Sequence, residues 1–394
     1  MAIIRSLLDT DWYKFTMCQA ALTYFSDADV GYKFSSRGKE NLLPYKDEIV
    51  HEVSQFKKLR FTIEEIAYLE SQGLKPYFLQ YLQTLTLEDV EVDVLEDLSQ
   101  SSGLSIYVSG PWIKAIWFEV PLLAIINEIY ANRSAGVKHL FYPDAGGLDI
   151  IDSKIECART CDGLRFAEFG TRRRFSQMVQ EQIYERLIGV QQCMGTSNVY
   201  LSKKYGTIPR GTMAHEWIQA GQAFVHPMES QRFMLDKWCE LYGKAFYALT
   251  DTLGTDKFLY DYIISQKIGK HNFNSFRQDS GDPDEWVKKL SNRLGDLTKI
   301  NAMFSDSLSI PKAIELYNKY HKTFQQISFG IGTNLSNDIP DHDPLNIVMK
   351  LVQVNDRFVA KLSDVPGKVM SESPAYAEYL KSSLALEGMK WPLT

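Results

Sequence analysis

The chain has 394 residues, 45% of them apolar, and a formal net charge of −6 at pH 7. That length suits one large domain or two ordinary ones, and the apolar share is ample for a sizeable core. Charges of both signs are mixed along the sequence without a basic face, which argues against a nucleic-acid partner, and no apolar run is long enough to span a bilayer. The start, Met1-Ala2-Ile3-Ile4-Arg5, lacks the charged and apolar regions of a signal peptide. Five cysteines stand at 18, 157, 161, 193 and 239. Cys157 and Cys161 would share a helix face, but one such pair without further ligands does not make a zinc site. Reduced thiols and a cytoplasmic protein are expected.

Asp9-Thr10-Asp11 supplies N-cap residues for a helix whose apolar face includes Phe15, Cys18, Leu22 and Phe25. Val30, Tyr32 and Phe34 alternate with Gly31, Lys33 and Ser35, the pattern of a half-buried strand. Val90, Val92 and Val94 alternate likewise, and Ile106 and Val108 mark a further strand before the Gly110-Pro111 turn. Pro121 opens a strongly apolar helix to about Ala131. This first part, residues 1–135, reads as an α+β domain.

From residue 136 to 349 the rhythm becomes strand, loop, helix, which implies a parallel sheet with chemistry on the loops after the strands. Phe166 to Phe169 precedes a helix carrying Phe175, Met178, Val179 and Ile183. Phe273 to Arg277 leads through Asp279-Ser280-Gly281 to a helix capped by Asp282, with Pro283 first and Glu285 completing a capping-box pattern. Ile300 to Phe304 leads through Ser305-Asp306-Ser307 to a helix with Ala313, Leu316, Tyr317 and Tyr320. Ile327 to Phe329 leads into Gly330-Ile331-Gly332-Thr333. Residues 350–394 lose the rhythm and are expected to pack back on the first domain.

Four motifs carry chemistry. In Gly211-Thr212-Met213-Ala214-His215-Glu216 a lone histidine stands where a loop becomes a helix, since Trp217, Ala220, Gly221 and Phe224 follow at helical spacing. A helix start suits phosphate, and imidazole is a good nucleophile toward a phosphoryl group. A histidine there can equally be a capping or core residue. Arg172-Arg173-Arg174 lie between a strand end and a helix start, where a phosphate or diphosphate would compensate them, although a solvated basic corner has the same sequence. Arg277 and Asp279 share one face of a strand end, as an ion pair or as an anion clamp beside a carboxylate that holds a sugar hydroxyl or Mg²⁺. Gly330-Ile331-Gly332-Thr333 suits close approach to phosphate but lacks the third glycine of a dinucleotide fingerprint. Gln219 stands where a zinc-protease helix needs its second histidine.

In order and spacing these motifs resemble the bacterial nicotinate phosphoribosyltransferases. The likeness starts at Leu7-Leu8-Asp9-Thr10-Asp11-Trp12-Tyr13-Lys14. It continues through Glu168 to Arg172, Gly195-Thr196-Ser197-Asn198, the His215 motif, Arg277 to Pro283, Phe304-Ser305-Asp306 and Phe329 to Thr333. The resemblance implies an irregular α/β barrel of the type II phosphoribosyltransferase kind joined to an N-terminal α+β domain, in a homodimer with shared active sites. It implies that nicotinate and 5-phosphoribosyl 1-diphosphate give nicotinate mononucleotide and diphosphate, with ATP and Mg²⁺ used and ATP hydrolysis coupled through a phosphohistidine at His215. By the same matching, Phe169 and Tyr13 sandwich the pyridine ring, with Tyr13 contributed by the partner subunit. Arg277 and Thr212 lie near nicotinate. Arg172, Gly332 and Thr333 hold phosphate groups, and Asp279 and Asp306 serve ribose hydroxyls or Mg²⁺. The nicotinamide-using relatives share Phe169, Arg172, His215, Arg277 and Asp279 but carry an aspartate at the position of Ser197. Ser197-Asn198 therefore favours a carboxylate substrate. The quinolinate-using relatives do not use ATP, and a catalytically silent metabolite-binding barrel would not need His215, Arg277 and Asp279 together.

Overall fold

The computed structural model describes residues 2–133, 149–211, 213–244, 246–269, 273–339, 342–365 and 369–386. The chain divides into two compact units. One comprises Met1–Gly211, Ser307–Ile314 and Ile331–Lys350, and the other Thr212–Asp306, Glu315–Gly330 and Leu351–Thr394.

The first unit begins with the helix Trp12–Tyr24. Asp11 occupies its N-cap position, but its side chain makes no cap bond. The carboxylate instead accepts from Ser197 Oγ at 2.7 Å, so a tertiary partner has outcompeted the local one. The alternation at Val30, Tyr32 and Phe34 is strand β1 (Asp29–Ser36). Strands β2 (Glu91–Glu96) and β3 (Leu104–Pro111) follow, and β3 pairs antiparallel with both β1 and β2. The next apolar helix is Glu119–Arg133, so Pro121 lies inside its first turn, where a missing N–H costs nothing. Strands β4 (Phe166–Glu168) and β5 (Cys193–Thr196) run parallel. Between them lies the helix Gln177–Leu187, with Ser176 Oγ accepting from the Val179 amide. Of the residues expected on its apolar face, Phe175 precedes the helix and Met178 is 55% exposed, while Val179 and Ile183 are buried.

The second unit holds strands β6 (Ala248–Leu249), β7 (Ser275–Gln278), β8 (Asn301–Phe304) and β9 (Gln326–Ile331). Each pairs parallel with the next, as the repeated strand–helix rhythm requires. The helices Thr255–Lys267 and Pro283–Leu294 form the crossovers after β6 and β7. Asp282 caps the latter through the Asp284 and Glu285 amides, with Pro283 in its first turn. In such an arrangement the residues just past the strand ends gather along one edge. The helix Pro374–Leu386 packs within this unit, its Leu380 and Leu384 joining Met228, Leu253 and Leu362 in one apolar cluster. Among the described residues no helix is long and apolar enough to cross a membrane, and all five cysteines are free thiols.

Candidate active site

Two polar clusters lie past the strand ends, one in each unit. In the second unit His215 is the first residue of the helix His215–Phe224. That helix is buried on nearly every side, polar residues included. Its Gln219 and Gln222 satisfy this burial by donating to the Leu351 and Ala360 carbonyls. The histidine is therefore held on a rigid element at the end where free backbone N–H groups favour an anion.

Around the imidazole the partners are specific. Nδ1 is 3.0 Å from Thr252 Oγ1, and Nε2 is 3.1 Å from Asp279 Oδ2 and 2.9 Å from Lys361 Nζ. Lys361 Nζ is also 2.8 Å from Asp251 Oδ2. Arg277 donates to Asp279 Oδ1 at 2.7 Å and to Ser305 Oγ at 2.7 Å. Ser280 Oγ donates to Asp251 Oδ2. Two ion pairs, Arg277–Asp279 and Lys361–Asp251, thus flank one histidine. Burial lowers the His215 pKa, opposed by Asp251 and Asp279 and assisted by the Lys361 charge. Asp279 is held well below the usual carboxylate range: burial opposes this, and the Arg277 guanidinium chiefly outweighs it. The carboxylates stay ionised because each has its own cation, and burial, with the Lys361 charge beside the ring, favours the neutral imidazole over their pull. One tautomer sends Nε2–H to Asp279 and leaves Nδ1 to accept from Thr252. The other sends Nδ1–H to Thr252 and leaves Nε2 to accept from Lys361. Either keeps one ring lone pair, which becomes the nucleophile once its hydrogen bond is given up.

Asp251 and Lys361 are functional candidates that the sequence did not reveal. Asp251 Oδ1 is buried without a hydrogen-bond partner and lies 3.6 Å from His215 Nε2. Lys361 sits in a segment fixed by the Leu362 amide donating to Thr252 O and by Asp364 accepting from Thr255 N and Oγ1. Asp306 follows Ser305 past the end of β8 and is half-buried. Thr212 lies outside the described residues.

Asp279, expected near Mg²⁺, has both oxygens occupied: Oδ1 accepts from Arg277 and Ser305, Oδ2 from His215. Among the described residues no group of three or more His, Cys, Asp or Glu could hold a metal ion. This donor set, interleaved with two cations, fits a phosphate group rather than a resident cation.

The first unit brings together Phe169, Arg172, Ser197, Gly332 and Thr333, and also carries Tyr13. Phe169 and Arg172 sit on the loop after β4, Ser197 just after β5, and Gly332 and Thr333 just after β9. A Cβ on Gly332 would lie 3.0 Å from Phe169 O, so glycine is what lets these two loops approach so closely without one of them giving way. Tyr13 is buried in the helix Trp12–Tyr24. The Arg172 side chain is 41% exposed, with Nη1 3.3 Å from Glu119 and Nε 4.0 Å from Asp11. Glu119 also pairs with the fully buried Lys14 at 2.6 Å. Burial raises the Asp11 pKa against the pull of Arg172 and the Ser197 hydroxyl. Ser197-Asn198 itself carries no charge, as expected, but two carboxylates stand beside it. The Ser197 hydroxyl is already given to Asp11, and Asn198 donates to Asp9 while capping the helix Val199–Tyr205.

The nicotinate phosphoribosyltransferase (NAPRTase) family model matches residues 164–387, and the model of the NAPRTase N-terminal domain matches residues 8–127. The nicotinate phosphoribosyltransferase of Cupriavidus necator is 41% identical over 400 residues, covering 98% of this chain and 99% of the relative. That of Ralstonia pickettii is 40% identical, covering 98% and 100%. The crystal structure of nicotinate phosphoribosyltransferase from Vibrio cholerae superposes with a TM-score of 0.87 at 33% identity, over 98% of this chain and 94% of that one. The Porphyromonas gingivalis structure gives 0.88 at 32% identity, over 97% and 100%. The fold class expected from the sequence is the one these structures share.

Proposed function

The chain belongs to the nicotinate phosphoribosyltransferase family, and we propose that it couples its pentosyl transfer to ATP through a phosphohistidine at His215. The enzyme joins nicotinate to 5-phosphoribosyl 1-diphosphate, giving nicotinate mononucleotide and diphosphate in NAD biosynthesis. The observation that supports the ATP step is a buried imidazole at a helix N-terminus, set between the Arg277–Asp279 and Lys361–Asp251 ion pairs. One ring nitrogen attacks the γ-phosphorus of ATP, and the bond to the β–γ bridging oxygen breaks with its electron pair leaving on ADP. The proton on the other ring nitrogen remains on the ring, donated in a hydrogen bond to Thr252 or Asp279 according to tautomer. The added phosphoryl charge is met by Arg277, Lys361 and the helix terminus. Mg²⁺ enters as the companion of the substrate phosphates.

In the transfer itself the ribose C1–diphosphate bond breaks as C1 gains positive character. The pyridine nitrogen of nicotinate is already nucleophilic and bonds to C1 without a base, so positioning and charge stabilisation do the catalysis. We assign Phe169 and Tyr13 to the ring, with Tyr13 reaching in from the partner subunit of a homodimer. Arg172, Gly332 and Thr333 take phosphate, Asp306 takes ribose hydroxyls, and the protein works in the cytoplasm. Incubation with γ-labelled ATP tests the reading: acid-labile, base-stable label should appear on the peptide containing His215. Absence of label under turnover conditions would remove the phosphohistidine.

The acid-over-amide preference is expected to depend on Ser197 through Asp11. An aspartate at 197 would set a second carboxylate against Asp11, where Ser197 Oγ now donates at 2.7 Å. Two carboxylates so close cannot both ionise cheaply. Ser197→Asp is expected to lower kcat/KM for nicotinate about tenfold or more, and to help nicotinamide by less. Steady-state rates with both substrates check it. Equal kcat/KM for the two in the unaltered enzyme would move the chain to the nicotinamide branch.

A further inference from the structure

Glu168 ends β4, is fully buried, and takes no part in either chemical step above. Its carboxylate accepts from the Gly170 amide at 2.6 Å, from Thr196 Oγ1 at 2.5 Å, and from Gln180 Nε2 at 3.2 Å to each oxygen. These donors belong to three segments: the loop after β4, the end of β5, and the helix between them. All three are neutral groups. A buried carboxylate held by neutral donors tolerates the loss of none of them, because the charge left behind has no water to turn to.

The ties continue outward from Glu168. Gln180 Nε2 also donates to Thr171 Oγ1 at 3.1 Å. Thr196 Oγ1 accepts from the Asn198 amide at 3.0 Å, and the Ser197 amide donates to Glu168 O at 2.9 Å. The segments so fixed carry Phe169 and Arg172 on one side and Ser197 on the other. Burial raises the Glu168 pKa and these hydrogen bonds oppose the rise, as expected of a group whose ionisation depends on its donors.

We propose that Glu168 is a positioning residue for substrate binding: its carboxylate locks the loop after β4 to the end of β5, and so sets the ring platform Phe169 and the anion contact Arg172. This rests on the assignment of those two residues to substrate made above. Glu168→Gln keeps the shape but replaces one acceptor by a donor, which must then face a donor or force a flip. Thr196→Val cuts the same tie from the other end and leaves the Glu168 side chain in place. Hydrogen exchange read by mass spectrometry, together with nicotinate KM and kcat, tests both variants. In Glu168→Gln, exchange in residues 169–173 should rise about tenfold or more, and nicotinate KM about tenfold, with kcat at saturation changed less than KM. Thr196→Val should move both in the same direction by less, and it carries the test if the Glu168 variant does not fold. Unchanged exchange in 169–173 overturns the proposal, as does exchange rising throughout the chain with KM and kcat worsening alike. If the unaltered enzyme failed to use nicotinate, the substrate assignment would fall, while the exchange data would still decide whether Glu168 holds the loop.

Discussion

Replacing His215 by alanine is expected to end ATP hydrolysis and phosphohistidine formation while leaving slow, ATP-independent transfer. A missing nucleophile costs at least about a thousandfold in its own step, whereas the transfer chemistry needs no bond to His215. The neighbours make the site intolerant of a substitute. Asp279 Oδ2 and Thr252 Oγ1 both point at the ring, and Lys361 Nζ stands 2.9 Å from Nε2. The neutral imidazole also predicts a pH signature. Its folded pKa is lowered from 6.5 by burial, so the nucleophilic form persists to lower pH than in a free histidine. The initial rate of label incorporation should fall only below the ordinary histidine value, as pH drops through the lowered pKa. Undiminished ATP hydrolysis in His215→Ala, or an acid limb above that value, would sink the assignment.

How far the sequence reached follows from the range of each interaction. Periodicity is local, so β1, β3, β7, β8 and β9 were legible from alternation and turn residues. The histidine at a helix start was legible from the spacing of Trp217, Ala220, Gly221 and Phe224. Asp11 has the residue type and position of a cap, yet its partner is Ser197, 186 positions away. Asp251 follows a strand of only two residues, too short to show alternation. Lys361 reaches His215 across 146 positions from an irregular segment where Ser363 adopts left-handed backbone, with φ 63°. Both completed the charge balance around His215, and neither lies in a periodic pattern that could announce it. The motif residues Arg277 and Asp279 were visible because two positions along a strand place them on one face.

Arg277→Ala is expected to lower kcat/KM about a hundredfold or more. The guanidinium is buried, donates to Asp279 Oδ1 and Ser305 Oγ at 2.7 Å each, and is the chief reason Asp279 stays ionised. Removing one member of a buried charged pair costs roughly 2–5 kcal/mol, much of it from the partner left uncompensated. Here that partner also holds His215, so substrate charge and the histidine's acceptor are disturbed together. Arg277→Lys keeps the charge but not the fork and should fall between the two, since one ammonium cannot span both acceptors in the same geometry. Stability gives an independent reading. The Asp279 pKa is depressed in the folded state, so its ionised form stabilises the fold above the ordinary value of 3.8, and this is lost as pH falls through the lowered pKa. Thermal melts of Arg277→Ala should therefore lie furthest below the unaltered protein near neutral pH and approach it in acid. A variant within threefold in kcat/KM, with that pH-dependent gap intact, would show that Arg277 serves the fold through Asp279 and does not act on substrate.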